Sequence, residues 1–458
     1  MRLAKYIETD KAFYKKLLIM AIPLAAQNLI TVGVNLVDNI MVGRLGEAAL
    51  SGVTQANHYI ALFQYCIMGI SMGSSVLTAR FWGARDSKSL KQTITIALRL
   101  ALILSAAVAL LTSLCANPIM YLYSNESEVI SGGVDYLMWS LPTFFLLALS
   151  TVCTNVLRSV GIGWIPLIAS IGAFFVNIGA NYVLIFGKLG LPAMGVAGAA
   201  LGTVIARMLE FSTICGYFFL LDKQIGYRFL NLFGKCRGLV AEHLRISMPV
   251  MFSDGLLGVG DNALAVIMGR IGQQFVAASS ITNTTQRVST IFITSMAFSS
   301  CFMISQVLGE GNVQKAQKQG YTFFCLGVLI GLLGALFIQL VKYPIIGAYN
   351  ITEETVAITI ALMNAISLIV VFRATNSILT KGVLRGGGDT RFLMVADIMF
   401  QWVAAIPLGY LAGLVLHLPS FWIYFCLNID HVLKAVWCIW RLRSGKWIKQ
   451  ISGVTDER

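Results

Sequence analysis

Asp38 could bind a cation or a proton, because it is a carboxylate within an apolar run that extends over residues 23–46. Asn28, Thr31, Asn35 and Asp38 follow one another at steps of three, four and three, so a helix would present them as one polar stripe. A charge at the centre of a bilayer costs roughly 2.5–3.5 kcal/mol, so this stripe is expected to line a cavity or meet a partner. Ion coupling is the favoured interpretation; the structural alternative is a carboxylate capped by Asn35 and by neighbouring helices.

The same run recurs in the second half of the chain. Four residues return 226 positions later: Pro23, Gly43, Arg44 and Gly46 as Pro249, Gly269, Arg270 and Gly272. The two halves are therefore copies, and the second copy carries carboxylates of its own at Asp254 and Asp261.

The composition places the chain in a membrane. Hydrophobic residues make up 57% of it, charged residues 12%, and the mean hydropathy is +0.77. Since a spanning helix needs about 20 apolar residues, the twelve apolar runs predict an all-α membrane protein with twelve transmembrane helices. We expect a six-helix lobe over 1–221, a connecting loop over 222–245 and a second six-helix lobe over 246–458. An even number of spans in each copy makes the two lobes parallel.

The net charge of +13 is distributed as membrane orientation requires, so nucleic acid is not an expected partner. Basic residues precede the first span, follow the second, join the sixth to the seventh and follow the last: Arg2, Lys5, Lys11, Lys15, Lys16, Arg80, Arg85, Lys88, Lys91, Lys223, Arg228, Lys235, Arg237, Arg245, Arg443, Lys446 and Lys449. By the positive-inside rule both termini and the even-numbered connections are predicted to be cytoplasmic.

Two parallel lobes are typical of a transporter, because substrates bind near the midplane and rocking of the lobes opens the site to each side in turn. The sequence contains no Walker A pattern for ATP and no HExxH cluster for a metal hydrolase. We therefore expect no enzymatic activity and no cofactor, and energy from an ion gradient or from the gradient of the substrate.

At this point the residues resemble a known family. VGRLG after Asp38, MGSSVLTARFWGARD at 72–86, the pair VLRSVG and VLRGGGDTR, and the stretch 177–203 are together similar to the multidrug and toxic compound extrusion (MATE) family, and most similar to its NorM branch. The resemblance covers nearly the whole chain. It implies two six-helix lobes in a V shape that export organic, often cationic, compounds in exchange for Na⁺ or H⁺.

The resemblance also assigns residues to a cation site. Asp38 matches the first-helix carboxylate of the family, and Asn177 and Asn181 match its partners. In archaeal members the second of these positions is an aspartate. A lone carboxylate with amide neighbours can coordinate Na⁺ through oxygens or carry one proton, but it cannot share a proton as a carboxylate pair does. Helix-to-helix hydrogen bonding is an equally open role for the two asparagines.

A second polar site is expected in the second lobe. Asp254 occupies the place of the NorM branch's seventh-helix glutamate, Asp261 lies on the same face seven residues later, and Arg373 lies in mid-span and needs a partner. Depth along the helices predicts an ion pair between Asp254 and Arg373. Whether this pair is fixed or opens during transport is left open.

The resulting prediction is a monomeric antiporter of the inner (plasma) membrane, coupled to Na⁺ or H⁺, that exports small organic cations such as drugs. One alternative is a flippase of a lipid-linked saccharide, which would favour a basic cavity, whereas the charges within the spans are expected to be mostly acidic. The other alternative is a receptor that transports nothing. Membrane lipids are the remaining expected partner.

Overall fold

The computed structural model describes residues 7–234, 236, 238–349 and 351–449, and within these ranges all regular structure is helical. Arg2, Lys5, Lys235 and Arg237 lie outside the described residues. The α-helices are α1 (Lys11–Gly43), α2 (Glu47–Gly83), α3 (Ser87–Tyr121), α4 (Ser127–Trp139), α5 (Leu141–Ser159), α6 (Trp164–Phe186), α7 (Gly195–Gly216), α8 (Val240–Ile271), α9 (Gln273–Gly309), α10 (Val313–Gly347), α11 (Glu353–Ser377), α12 (Thr390–Met399), α13 (Ile406–Tyr410), α14 (Ser420–Leu427) and α15 (Ile429–Ser444).

Several of these helices continue as π-helical turns, so that each makes a longer span. The turns are Tyr217–Leu221 after α7, Ile378–Leu384 after α11, Phe400–Ala405 after α12 and Leu411–Val415 after α13, and a separate 3₁₀ turn covers Phe229–Phe233. In the described part of the chain, 11 helices are long and apolar enough to cross a membrane, and there are 12 if α14 and α15, which meet at 45°, form one bent span. The prediction of an all-α, multi-pass membrane protein is confirmed.

One predicted span is divided. The apolar run 131–156 is shared between α4 and α5, which meet at Ser140. Pro142 lies in the first turn of α5, where a residue without a backbone N–H costs no helical hydrogen bond. The proline therefore starts a new helix where hydropathy alone indicates a continuous one.

The duplication is visible in the helix boundaries. Helices α2 and α9 are each 37 residues long, α3 and α10 are each 35, and both pairs are offset by the 226 positions found in the sequence. The turn before the third helix of each copy contains a residue with positive φ, Arg85 at 59° and Gly311 at 81°. A side-chain acceptor then caps the helix, Asp86 in the first copy and Asn312 in the second.

The chain forms two compact units. The N-terminal unit comprises residues 22–251, and the C-terminal unit comprises the chain through Ala21 together with everything from Phe252 onward. Both divisions fall inside long helices, α1 and α8, within two or three residues of Pro23 and Pro249. The lobe boundaries drawn from the repeats, 1–221 and 246–458, stay a prediction about the two copies.

The second helix of each copy packs against several neighbours. In the N-terminal unit α2 packs against α3, α4 and α5, and in the C-terminal unit α9 packs against α10 and α11. Glycines allow close approach: a Cβ at Gly331 of α10 would lie only 2.6 Å from the Cα of Val371. The first helices, α1 and α8, pack less closely on their neighbours, so much of their surface is open.

A buried aromatic residue anchors the chain after the sixth helix of each copy. Tyr227 is fully buried and its hydroxyl lies 2.8 Å from Thr95 Oγ1 on α3. Burial raises the pKa of Tyr227 to about 12, so the phenol stays protonated at physiological pH. Trp447 is also fully buried, and its indole Nε1 donates to Gln317 Oε1 on α10 at 2.9 Å.

Candidate functional site

The structure brings Asp38, Asn177 and Asn181 together. Asn181 Nδ2 on α6 donates to Asp38 Oδ1 on α1 at 2.7 Å and also to Asn177 Oδ1 at 3.4 Å. The two asparagines are buried and Asp38 is half-buried. Asn35 lies three residues before Asp38 and is exposed, outside these hydrogen bonds. Three of the four residues predicted for cation coupling therefore form one contiguous site.

A glycine on the neighbouring helix makes room for this site. A Cβ at Gly202 of α7 would collide with Asn181 Oδ1. That oxygen is buried and has no hydrogen-bond partner, an arrangement that costs free energy unless a ligand compensates it. Half a turn of the amide about χ2 would exchange Oδ1 with Nδ2 and direct the oxygen at Asp38. The carboxylate and the two amide oxygens are then a donor set that fits Na⁺.

Arg207 is a charged neighbour that the sequence reasoning missed. Its Nη1 lies 2.6 Å from Glu210 Oε2, one turn along α7, and its charge also acts on Asp38. Because the guanidinium is bound by Glu210, Asp38 has an amide rather than a cation as its direct partner. The arginine–glutamate spacing of three residues on a predicted helix is the signal that could have identified the pair.

A buried chain of hydrogen bonds leads from Glu210 to the other helices of the N-terminal unit. Ser170 Oγ on α6 donates to Glu210 Oε1 at 3.5 Å and accepts from Gln27 Nε2 on α1 at 2.8 Å. Arg158 at the end of α5 donates to Gln27 Oε1, and its Nη1 donates to Asn155 Oδ1 at 3.2 Å. Helix α1 is thus tied, one turn beyond Pro23, to three neighbouring helices.

In the C-terminal unit, Asp254 is paired with a different arginine from the one predicted. Arg385 Nη2 lies 3.3 Å from Asp254 Oδ1, so the prediction of an Asp254–Arg373 pair is wrong. Helix α11, which holds Arg373, continues as a π-helical turn through Leu384. Only after this turn is the chain close enough for a side chain to contact Asp254. Arg373 lies 12 residues before Arg385, or about 18 Å along the axis, too far to reach the same carboxylate.

Asp261 has an amide partner, much as Asp38 does. Gln401 Nε2 donates to Asp261 Oδ1 at 3.0 Å, and a Cβ at Gly260 would lie 2.6 Å from Gln401 Cδ. The charges of Arg373 and Lys381 act on Asp261 without a direct ion pair. Of the three residues predicted as a second polar site, Asp254 and Asp261 therefore have different partners, and Arg373 acts on Asp261 through its charge.

A second set of charges in this unit is centred on Lys434 of α15. Its ammonium lies 3.1 Å from Asp430 Oδ2, one turn away on the same helix, and 3.3 Å from Asp397 Oδ1 on α12. Ser253 Oγ on α8 donates to the other oxygen of Asp397 at 2.6 Å. Asp397 was missed, although a lone aspartate in an apolar run is the same signal that identified Asp38.

Basic side chains are at least as frequent as acidic ones in these spans and at their ends. The basic residues include Arg80, Arg99, Arg158, Arg207, Arg270, Arg287, Lys342, Arg373, Lys381, Arg385, Lys434 and Arg441, and the acidic ones include Asp38, Glu210, Asp254, Asp261, Asp397 and Asp430. The expectation that charges within the spans are mostly acidic is therefore wrong. The basic residues were overlooked because they occur singly along the sequence. Among the described residues, no group of three or more histidine, cysteine or carboxylate side chains could hold a metal ion.

Comparison with known proteins gives consistent results. The MatE family model matches residues 23–183 and 249–411, so it matches each copy once, starting at Pro23 and Pro249. A relative described as "Probable multidrug resistance protein NorM" from Thermotoga maritima is 24% identical over 97% of this chain and 95% of that protein. "Multidrug resistance protein MdtK" from Yersinia pseudotuberculosis is 24% identical over 95% of this chain and 96% of that protein.

Solved structures share the fold. A structure described as MATE in the straight conformation superposes with a TM-score of 0.85 at 19% identity, covering 94% of this chain and 96% of that one. An outward-facing MATE family transporter superposes with a TM-score of 0.84 at 19% identity, covering 95% and 97%. Since the family model accounts for more than half of the residues, and the relatives are transporters and not enzymes, this chain belongs to the MatE family of multidrug efflux transporters.

Proposed function

We propose that this transporter is a cation-coupled antiporter that exports small organic cations by alternating access and exchanges Na⁺ or H⁺ at Asp38. One observation carries the proposal: a half-buried carboxylate in a spanning helix accepts from Asn181, which also donates to Asn177, and the buried amide oxygen of Asn181 lacks a partner. Such a group is costly in a membrane unless it binds something during the transport cycle.

Coupling requires that ion and substrate prefer different states of the N-terminal unit. An ion bound at Asp38 neutralises the carboxylate that would otherwise attract a cationic substrate. The hydrogen-bonded chain from Glu210 through Ser170 and Gln27 to Arg158 supports a link from this region to α1 beside Pro23. A change of charge at Asp38 would act on Arg207 first, since the two charges interact, and through Glu210 on that chain.

The remaining assignments belong to the same proposal. Asp254, Asp261 and Arg373 form a polar framework of the C-terminal unit whose carboxylates already have partners. The distribution of basic residues supports cytoplasmic termini, and the antiporter would act in the inner (plasma) membrane. Because one chain contains both copies of the repeat, a monomer is the expected functional state, with lipids as its surroundings.

The test is efflux of a fluorescent organic cation from proteoliposomes under an imposed Na⁺ gradient or an imposed pH gradient. Asp38→Asn should reduce gradient-driven efflux to the level of protein-free vesicles, and the gradient that drives the wild type identifies the ion. Asp261→Asn is the matched comparison, since it removes a carboxylate with the same kind of amide partner, and it should retain most of the efflux. Efflux untouched by Asp38→Asn would contradict the proposal.

A lipid-linked saccharide flippase is the second candidate, because of Arg287. This arginine lies 14 residues into α9, about 21 Å from the helix start, and its side chain is exposed. An exposed guanidinium at that depth is costly in lipid, so a water-filled space and an anionic partner such as a pyrophosphate are favoured. Transfer of a labelled lipid-linked saccharide between leaflets, lost in Arg287→Gln, would support the flippase. Absence of both activities would favour the receptor alternative.

A further inference from the structure

The ammonium of Lys434 occupies a position that resembles an ion site. Carboxylate oxygens of Asp397 and Asp430 approach it at 3.3 and 3.1 Å from two different helices. All three residues are almost closed to solvent, with exposed fractions of 2% for Lys434, 5% for Asp397 and 6% for Asp430. Ser253 Oγ donates to the remaining oxygen of Asp397, so that carboxylate is held in place from a third helix. Two buried carboxylates directed at one point require a positive charge between them.

The other groups around this point leave little attraction for a further cation. His431 and Cys438 on α15 and Arg373 on α11 act electrostatically on members of the cluster. Arg385 already pairs with Asp254, and Arg373 and Lys381 act on Asp261. The carboxylates of Asp254, Asp397 and Asp430 are therefore in contact with a cationic side chain, and that of Asp261 is subject to the charges of two.

The N-terminal unit differs at the corresponding place. Glu210 binds Arg207 at 2.6 Å, and Glu242 lies 3.7 Å from Arg245. Asp38 has only amides as hydrogen-bond partners in the described part of the unit. Among the described contacts, Asp38 thus has an amide partner, as Asp261 of the other unit does, whereas Asp397 and Asp430 already have a cationic side chain in contact.

We propose that Lys434 is a built-in counter-ion that fills a cation site between Asp397 and Asp430, so that this site exchanges no ion. The assignment of coupling to Asp38 rests on the proposed function, but the site at Lys434 can be tested without any transport.

The test uses purified full-length protein at about pH 8. Lys434→Met removes the ammonium and keeps most of the side-chain volume. In buffer without Na⁺ its Tm should fall by about 10 °C, because two carboxylates are left without a counter-charge. About 100 mM Na⁺ should restore at least half of that loss, and Na⁺ bound per chain, measured with radioactive sodium, should rise by one relative to the wild type.

Two control variants separate a filled ion site from an ordinary structural ion pair. Lys434→Arg keeps a cation and should gain neither Na⁺ binding nor Na⁺-dependent stability. Lys434→Met combined with Asp430→Asn leaves one carboxylate, and it should regain stability without the Na⁺ response. A Lys434→Met protein that responds to Na⁺ no more than the wild type does would overturn the proposal.

A second measurement covers the case in which Lys434→Met does not fold. Asp38→Asn should bind no Na⁺ that depends on Asp397, whichever ion the wild type uses for coupling. Sodium that remains bound to Asp38→Asn and is released by adding Asp397→Asn would overturn the proposal, because the site at Lys434 would then bind an ion. Absence of gradient-driven efflux in the wild type would instead contradict the proposed function and leave the result at Lys434 unchanged.

Discussion

The two units place polar groups at corresponding positions but fill them with different charges. Gln27 and Ser253 are 226 positions apart, each one turn beyond the proline of its helix. Gln27 donates to neutral Ser170 on α6, whereas Ser253 donates to Asp397 on α12, which pairs with Lys434. A duplicated scaffold thus preserves where a buried polar group can be satisfied. The residue types at these positions decide whether a site can bind an ion or already contains a cationic side chain.

The same contrast holds for the arginine at the end of the fourth span of each copy, which ends with α5 in the first copy and with the π-helical turn after α11 in the second. Arg158 binds the first helix of its copy through the neutral amide of Gln27, and Arg385 does so through the carboxylate of Asp254. A hydrogen bond to a neutral group is more easily exchanged than a buried ion pair. The first helix of the N-terminal unit is therefore held less firmly than that of the C-terminal unit.

The largest expected difference follows from these arginines. Arg385→Met leaves the Asp254 carboxylate without its counter-charge and should lower the free energy of unfolding by about 3–5 kcal/mol. Arg158→Met leaves neutral partners and should cost about 1–3 kcal/mol. Denaturant unfolding of both variants in the same detergent measures the difference. Equal losses would mean that the two contacts are energetically alike and that the contrast is wrong.

Two glycines give a matched pair of substitutions beside the two carboxylates. Gly202→Ala places a Cβ against Asn181 Oδ1 and should move the amide away from Asp38. The ion concentration for half-maximal efflux should rise about tenfold, which corresponds to about 1.4 kcal/mol. Gly260→Ala creates the same kind of clash with Gln401 in the C-terminal unit, and it should change that concentration less than about twofold. A similar rise in both variants would place ion exchange in both units.

The smallest expected effect concerns the two aromatic anchors, of which only Tyr227 titrates. Its folded pKa of about 12 lies above the value near 10 of an unfolded tyrosine, so its contribution is complete below about pH 10 and is lost as pH rises towards 12. Tyr227→Phe should cost about 1 kcal/mol near pH 8 and have a smaller alkaline loss than the wild type. Trp447→Phe should cost a similar amount with no change in that pH dependence.

Much of the fold followed from local sequence. Apolar runs predicted the spans because burial in a bilayer needs about 20 apolar residues whatever their neighbours are. The recurrence of Pro23 and Gly43 as Pro249 and Gly269 predicted the duplication, which the family model and the helix boundaries confirm. The division at Ser140 was missed because hydropathy does not distinguish one long helix from two that meet end to end.

Residue type and spacing also found Asp38, since an isolated carboxylate in an apolar helix is informative wherever it occurs. Asn177 and Asn181 came from the resemblance to the family. Which charges pair with one another depended on how the helices pack. Arg385 rather than Arg373 meets Asp254, and Asp397 meets a lysine 37 residues later in the chain, because ion pairs form within about 4 Å across helices brought together by the fold. Local sequence therefore predicted the charged positions, whereas helix packing determined the partner of each charge, and with it which carboxylate is left to bind an ion.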